Sequence, residues 1–205
     1  MNDPKPDRAG VTFTRFERFW HWTQAVLVAG LLVTGFGMYG LHDLFDFGRA
    51  MNLHLAFGVS LIGLWLLAML WHAFTGEWRQ YRPTSRGLLR VVAYYSYGMF
   101  SGEAKPYQPT PLAKHNPLQR LAYLGFKLLI APALWISGLL LLFYPVWSGT
   151  AFGAWLGFTE VAWVHVAAGY ALVLFLVAHI YIASTTGTPW YSYLRAMVTG
   201  REHDA

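Results

Sequence analysis

Two histidines lie within one apolar stretch, residues 163–183, which reads WVHVAAGYALVLFLVAHIYIA. His165 and His179 are 14 positions apart, which on a helix is about 21 Å along the axis and returns to within about 40° of the same face. Ionisable side chains are rare in membrane spans and usually functional. One helix is therefore expected to present two imidazoles at two separate sites, since no single metal ion can reach both.

Further histidines can provide a second ligand for each site. His21, His54 and His72 also stand in or at apolar stretches. The sequence has no cysteine, which excludes iron–sulfur clusters with cysteine ligands, thiolate zinc sites and covalent c-type haem. Two facing imidazoles suit the axial positions of a haem, whereas zinc needs further ligands. The residue types therefore predict a non-covalent haem held by pairs of histidines.

The composition places these histidines in a membrane. Only 12% of the residues are charged and 56% are hydrophobic, whereas a soluble domain carries about 25% charged residues. A spanning helix needs roughly 20 mostly apolar residues, and four spans are predicted near 19–40, 52–74, 119–143 and 161–184. The predicted fold class is all-α integral membrane, a four-transmembrane-helix haem-binding bundle that forms a single membrane domain over residues 1–205.

The positive residues indicate how the spans are oriented. Lys and Arg are concentrated before the first span, in the long connection at about 75–118 and after the fourth span, while the other two connections contain only Arg49. By the positive-inside rule, both termini and the long connection are predicted to be cytoplasmic. The net charge of +5 is thus a topology signal, and no nucleic-acid partner is implied.

This topology sorts the histidines by depth. His54 begins the second span on the periplasmic side, level with His165, and His21 begins the first span on the cytoplasmic side, level with His179. Two metal sites are therefore predicted, one formed by His54 and His165 and the other by His21 and His179. Each is expected to hold one haem.

Small and basic residues near these histidines have two explanations each. Gly58 and Gly169 follow a histidine by one turn, in HLAFG and HVAAG, where a glycine admits a flat porphyrin or simply allows close helix packing. Arg15 and Arg18 precede His21 by one to two turns. An arginine there can pair with haem propionates, or it can set topology and contact lipid head groups.

Several motifs together resemble one family. RFERFWHW (15–22) and the H-x13-H of the fourth span are similar to the di-haem cytochrome b subunits that anchor bacterial formate dehydrogenases, nickel–iron hydrogenases and thiosulfate reductases. The likeness covers nearly the whole chain, and TGEWRQYRPT (75–84) and PLAKHNPLQRLAY (111–123) look closest to the thiosulfate reductase type. The resemblance implies two haems, one near each surface, in a bacterial inner membrane, and a quinone site beside the cytoplasmic haem.

The same resemblance suggests where the quinone binds. Relatives of the formate dehydrogenase type carry an Asn-x-x-Gln pair at the quinone, and Asn116 and Gln119 match it in KHNPLQR. Both amides can hydrogen-bond a quinone carbonyl. Asn116 before Pro117 is also a good N-cap, and the two roles are compatible.

The predicted function is electron transfer between quinone and a periplasmic redox partner, either a molybdoenzyme with iron–sulfur subunits or a multihaem cytochrome c. The chain would then be the electron-transfer subunit of a quinone-linked oxidoreductase complex, surrounded by lipid. A stand-alone di-haem cytochrome b that passes electrons from superoxide to quinone is the alternative. A non-redox transporter or haem carrier is a third possibility, which haem absorbance in the purified protein would exclude.

His72 is the histidine left without a site. It follows His54 by 18 residues, so it points to the same face and lies about 27 Å further along the helix. His179 lies about 21 Å below His165. With His54 and His165 level, His72 is therefore roughly 6 Å deeper than His179. It is therefore predicted to sit at the cytoplasmic head groups and not to bind haem iron. There it could hydrogen-bond a propionate, relay protons to a quinone, or have no role.

Overall fold

The computed structural model of the protein describes residues 13–76, 86–104, 106, 116–186 and 191–201. In these residues the regular structure is helical, without a β-strand. The helices are α1 (Arg15–Met38), α2 (Phe47–Thr75), α3 (Leu88–Ala93), α4 (Pro117–Gly125), α5 (Ala131–Leu142), α6 (Tyr144–Trp147), α7 (Ala151–Trp155), α8 (Phe158–Thr186) and α9 (Ser192–Thr199). Two π-helical segments, Tyr94–Gly98 and Phe126–Ile130, follow α3 and α4.

Four helical stretches are long and apolar enough to cross a membrane. They are α1, α2, the continuous run Pro117–Leu142 formed by α4, the π segment and α5, and most of α8, over Phe158–Thr185. The prediction of an all-α integral membrane protein with four spans is confirmed. Each helix begins two to five residues before the predicted span, because the helix starts at its cap and not where the apolar run starts.

Polar side chains cap the first two of these helices. Thr14 and Glu17 form a capping box before α1, each side chain accepting a hydrogen bond from the other residue's backbone N–H, at 3.2 and 2.7 Å. Asp46 accepts from the Arg49 N–H at 2.9 Å before α2. Such caps satisfy backbone N–H groups that have no partner inside the helix.

The chain divides into two units, of which the first comprises Met1–Gly76 and Tyr181–Ala205. In it, α1 and α2 form an antiparallel pair. The Trp65 indole donates to Gln24 Oε1 at 2.8 Å, and Phe16 stacks on Trp71 with ring centroids 4.5 Å apart. A Cβ placed at Gly30 would lie 2.6 Å from the Phe57 ring, so this glycine is required for the close approach of the two helices.

The second unit is Glu77–Ile180. The run from α4 to α5 pairs antiparallel with α8, and Phe126 stacks on Phe175 at 4.8 Å between centroids. Pro132 has no N–H and cannot bond the carbonyl four residues earlier, which disrupts the α-helical pattern. The π segment immediately precedes it, and the Ala131 N–H bonds the Phe126 carbonyl instead.

The long connection contains the short helix α3 and the π turn Tyr94–Gly98. RGLLRVVAYYSYGMF (86–100) begins with basic residues and continues with aliphatic and aromatic ones, a pattern that predicts an amphipathic helix along the membrane surface. The helix is present, and its placement at the surface stays a prediction. Most of TGEWRQYRPT and the first half of PLAKHNPLQRLAY lie outside the described residues.

Candidate metal centres

His54 is held by a buried hydroxyl of the neighbouring helix. Its Nδ1 lies 2.9 Å from Thr34 Oγ1 on α1, and Thr34 is 1% exposed. The same hydroxyl lies 2.7 Å from the Gly30 carbonyl oxygen and 3.3 Å from that of Leu31. The contact places His54 at the end of the α1–α2 pair that adjoins the first connection.

His165 is held in the same way in the second unit. Its Nδ1 lies 2.9 Å from Ser137 Oγ on α5, and Ser137 is 3% exposed. The Ser137 hydroxyl also contacts the Ala133 carbonyl oxygen and lies 3.3 Å from that of Leu134. His165 therefore lies at the end of the pair that adjoins the connection between the third and fourth spans.

These contacts fix which ring nitrogen carries the proton. A carbonyl oxygen can only accept, so each hydroxyl must donate its single hydrogen to the carbonyls of its own helix. Toward histidine the hydroxyl oxygen is then the acceptor, and Nδ1 is the donor. Nε2 of His54 and of His165 is therefore the nitrogen with a lone pair, the form in which imidazole binds a metal.

His179 lies in an aromatic environment near the other end of α8. The Phe175 ring is 6.0 Å from it between centroids and nearly parallel, at 8°. The Tyr123 ring of α4 is 6.2 Å away. Tyr123 is six residues after the start of α4, so His179 lies on the side of the long connection.

His21 and Arg18 occupy the first two turns of α1. The His21 ring meets the Trp22 ring edge-on at 5.3 Å, and the Trp22 indole donates to the Met197 carbonyl of α9 at 2.9 Å. Arg18 Nη1 donates to the Val198 carbonyl at 2.5 Å. One of the two arginines predicted to bind propionates therefore also caps the last turn of α9, a contact that its sequence position did not suggest.

The guanidinium of Arg18 has a second N–H group that can donate a hydrogen bond. Its Nε–H is buried and makes no hydrogen bond to the described residues. A buried N–H without an acceptor is costly, and a carboxylate is the acceptor that arginine binds best. Arg15, the other arginine predicted to bind a propionate, is exposed.

Gly58 and Gly169 are not required by packing within their own units. A Cβ added at Gly169 meets no atom of the described residues within 4 Å, and one at Gly58 would lie an ordinary 3.9 Å from Leu31 Cδ2. Close packing depends instead on Gly35 and Gly138, where a Cβ would lie 3.3 Å from His54 Cε1 and 3.2 Å from His165 Cε1. The space at Gly169 is compatible with a flat ligand.

Asn116 and Gln119 form a capping box at the start of α4. Asn116 Oδ1 accepts from the Gln119 N–H at 2.8 Å, and Gln119 Oε1 accepts from the Asn116 N–H at 2.9 Å. The predicted capping role is confirmed. The box uses both amide oxygens, and the NH₂ groups are the donors from which a quinone carbonyl would accept.

The residues present fit a haem. The hydroxyl contacts leave a lone pair on Nε2 of two histidines. Within the described part of the chain, Gly169 faces open space and the buried Arg18 Nε–H has no acceptor. Thr34 and Ser137 are the members of this environment that the sequence interpretation missed. Their signal was a hydroxyl residue followed by glycine inside an apolar span, in VTGFG and ISGLL.

Comparison with known proteins gives two matches. A family model described as prokaryotic cytochrome b561 matches residues 12–200. The chain is also 31% identical to the protein named "Putative cytochrome YdhU" of Escherichia coli (strain K12), over 92% of this chain and 72% of that protein.

Proposed function

Because the chain belongs to the prokaryotic cytochrome b561 family, we propose that it is a di-haem cytochrome b that moves electrons between the quinone pool and a periplasmic redox partner. The family confirms the resemblance predicted from the sequence. It establishes a membrane b-type cytochrome that binds haem b and transfers electrons. The haem number, the ligands, the quinone site, the partner and the sidedness are the proposed part.

One observation carries the two-haem proposal: the two histidines of α8 have separate surroundings. His165 contacts Ser137, and His179 lies against Tyr123. Ser137 and Tyr123 are 14 residues apart on one span, which is about 20 Å along a helix. The two imidazoles therefore belong to different metal centres, one near each end of the span.

Chain topology supports one choice of second ligand for each proposed centre. His54 adjoins the first connection and His165 the third, and alternate connections of a four-span chain lie on the same side of a membrane. His21, near the start of α1, is similarly matched with His179. The four imidazoles would bind iron from both faces, and the bound haems would supply reversible one-electron exchange. Arg18 would donate its Nε–H to a propionate.

The remaining residues suggest how electrons enter and leave. Asn116 and Gln119 begin the span on which Tyr123 touches His179, so a quinone there would be next to the cytoplasmic centre. At the opposite side, Trp155 in the third connection is 80% exposed. Exposed aromatic residues suit a protein interface, and the periplasmic molybdoenzyme or multihaem cytochrome c would dock there.

Haem stoichiometry tests the proposal. The purified chain is expected to contain two non-covalent haems b per chain in a pyridine haemochrome assay. Both should be low-spin, because two imidazoles fill both axial positions, and carbon monoxide should bind poorly for the same reason. One haem per chain, or avid carbon monoxide binding, would contradict the two bis-histidine centres.

A second measurement separates the partnered role from the stand-alone alternative. The partnered role predicts that the tagged chain is purified from its own membranes together with a periplasmic redox subunit. The stand-alone role predicts that the isolated chain reduces quinone with superoxide at a useful rate. A chain that does the second and never the first would overturn the proposed partner.

A further inference from the structure

We infer that Thr34 and Ser137 are positioning residues that hold His54 and His165 in the metal-binding tautomer and set the redox potential of the haem these histidines share. The inference rests on the proposed pairing of His54 with His165. The two hydroxyls contact the imidazoles and would affect the haem through them, with a measurable electronic effect.

The contact is a relay of two hydrogen bonds. The imidazole Nδ1–H donates to a hydroxyl oxygen, and that hydroxyl donates to a carbonyl one turn earlier in its own helix. Hydrogen bonds linked in this way polarise one another in an apolar medium. A hydroxyl that already donates is therefore a better acceptor for Nδ1–H than an isolated alcohol would be.

The same device is built twice, on two different helix pairs. Thr34 and Gly35 face His54 across α1 and α2, and Ser137 and Gly138 face His165 across α5 and α8. At each site the glycine after the hydroxyl residue lets the ring edge approach to a distance that a Cβ would obstruct. The repetition of hydroxyl, glycine and Nδ1 contact distinguishes the arrangement from ordinary serine and threonine packing.

Ordinary threonines in this chain show what packing alone does. Thr75 Oγ1 donates to the Trp71 carbonyl at 2.8 Å, and Thr185 Oγ1 to the Tyr181 carbonyl, also at 2.8 Å. This hydrogen bond from a hydroxyl to a carbonyl of the preceding helical turn, here called a back-bond, satisfies a hydroxyl inside any apolar helix. Thr34 and Ser137 make the back-bond and also accept a hydrogen bond from a histidine. This additional hydrogen bond connects each hydroxyl to an imidazole.

The electronic consequence follows from the acceptor role. A hydrogen bond accepted from the second nitrogen of a ligating imidazole makes that ligand more basic and fixes its orientation. A more basic axial ligand stabilises ferric over ferrous iron. Thr34 and Ser137 therefore lower the potential of the haem between His54 and His165, because hydrogen bonding around the ligands is one of the determinants of haem potential.

The test uses the full-length purified chain and single substitutions that keep side-chain shape. Thr34→Val retains the branched shape without the hydroxyl, and Thr34→Ser retains the hydroxyl. Ser137→Ala and Ser137→Thr are the corresponding pair on α5. Haem content is measured by pyridine haemochrome, both midpoint potentials by optical redox titration, and axial-ligand geometry by EPR of the ferric state.

Thr34→Val and Ser137→Ala are each expected to raise the potential of the same one haem and to leave the other unchanged. A tenfold shift of the ferric–ferrous equilibrium is the expected scale, which is about 59 mV for one electron. The double variant should shift that haem further. The hydroxyl-retaining variants should stay near the wild-type potential, as should the matched control Thr75→Val, which removes a back-bond alone.

The other outcomes test the hydroxyl effect, the pairing of His54 with His165 and the proposed function separately. If both potentials stay unchanged while both haems are retained, the inference is wrong. Loss of haem in Thr34→Val with rescue by Thr34→Ser supports it, whereas loss in both, or an equal shift in Thr75→Val, assigns the effect to shape. If Thr34→Val and Ser137→Ala shift different haems, the pairing of His54 with His165 fails although the hydroxyl effect stands. Fewer than two haems in the wild-type chain contradicts the proposed function itself.

Discussion

His179→Ala is expected to remove one of the two haems, whereas His72→Ala retains both. Both histidines lie toward the long connection, and both were candidates for the second ligand opposite His21. Hydrogen bonding does not exclude His72 as an iron ligand. His72 Nδ1 donates to the Ala68 carbonyl at 2.7 Å, which leaves a lone pair on Nε2, as a ligand requires.

The register of α1 against α2 separates them by depth. Phe16 stacks on Trp71, so His72 is level with the first turn of α1. His21 lies five residues further along α1 than Phe16, about 7 Å deeper into the span. The His72 ring also meets the Trp20 ring edge-on, at 5.7 Å between centroids. Because the Trp20 side chain is long, this contact does not place the two backbones at the same depth. His72 is thus nearer the membrane surface than the proposed iron ligand.

Haem content and the reduced spectrum of the two variants measure this difference. His179→Ala should contain one haem per chain, and the haem that remains should keep the wild-type potential. His72→Ala should contain two, with at most a small shift in the cytoplasmic haem if His72 bonds a propionate. The reverse pattern, with one haem in His72→Ala and two in His179→Ala, would make His72 the partner of His21.

The sequence was sufficient for the four spans because membrane helices are specified by long apolar runs. It located their starts less well, since Thr14 and Asp46 begin helices in polar segments before the apolar run. Capping is a local contact, and the Thr14–Glu17 spacing could have been recognised as a capping box. Hydropathy therefore locates the apolar part of a span, whereas the cap residues locate the start of the helix.

The parts of the candidate site that escaped prediction depend on contacts between distant segments. A threonine such as Thr34 can satisfy its hydroxyl within its own helix, so nothing local indicates that it faces His54. The contact of Arg18 with Val198 joins residues 180 positions apart and follows from how α9 meets α1. Gly58 and Gly169 were singled out by their spacing from histidine, while the glycines in close contact with His54 and His165 lie on the opposing helices.

The capping box at α4 makes the quinone prediction sharper than the sequence alone allowed. Because Gln119 Oε1 caps the Asn116 N–H, replacing Gln119 with Leu would remove both a cap and a candidate quinone ligand. Glu is equally good at this third position of a capping box. Gln119→Glu therefore keeps the cap, while it replaces the NH₂ group, which could donate to a quinone carbonyl, with a negatively charged carboxylate oxygen that cannot.

Gln119→Glu and Gln119→Leu are both expected to slow quinol-dependent haem reduction by about tenfold, the effect of losing one hydrogen bond worth about 1.4 kcal/mol. Reduction by dithionite and the haem content should remain normal in both, because Gln119 lies at the start of α4, one turn before Tyr123, and holds no iron. Stopped-flow reduction with a quinol analogue measures the rate. If Gln119→Glu reduces at the wild-type rate while Gln119→Leu is slow, Gln119 serves the helix cap alone and the quinone binds elsewhere.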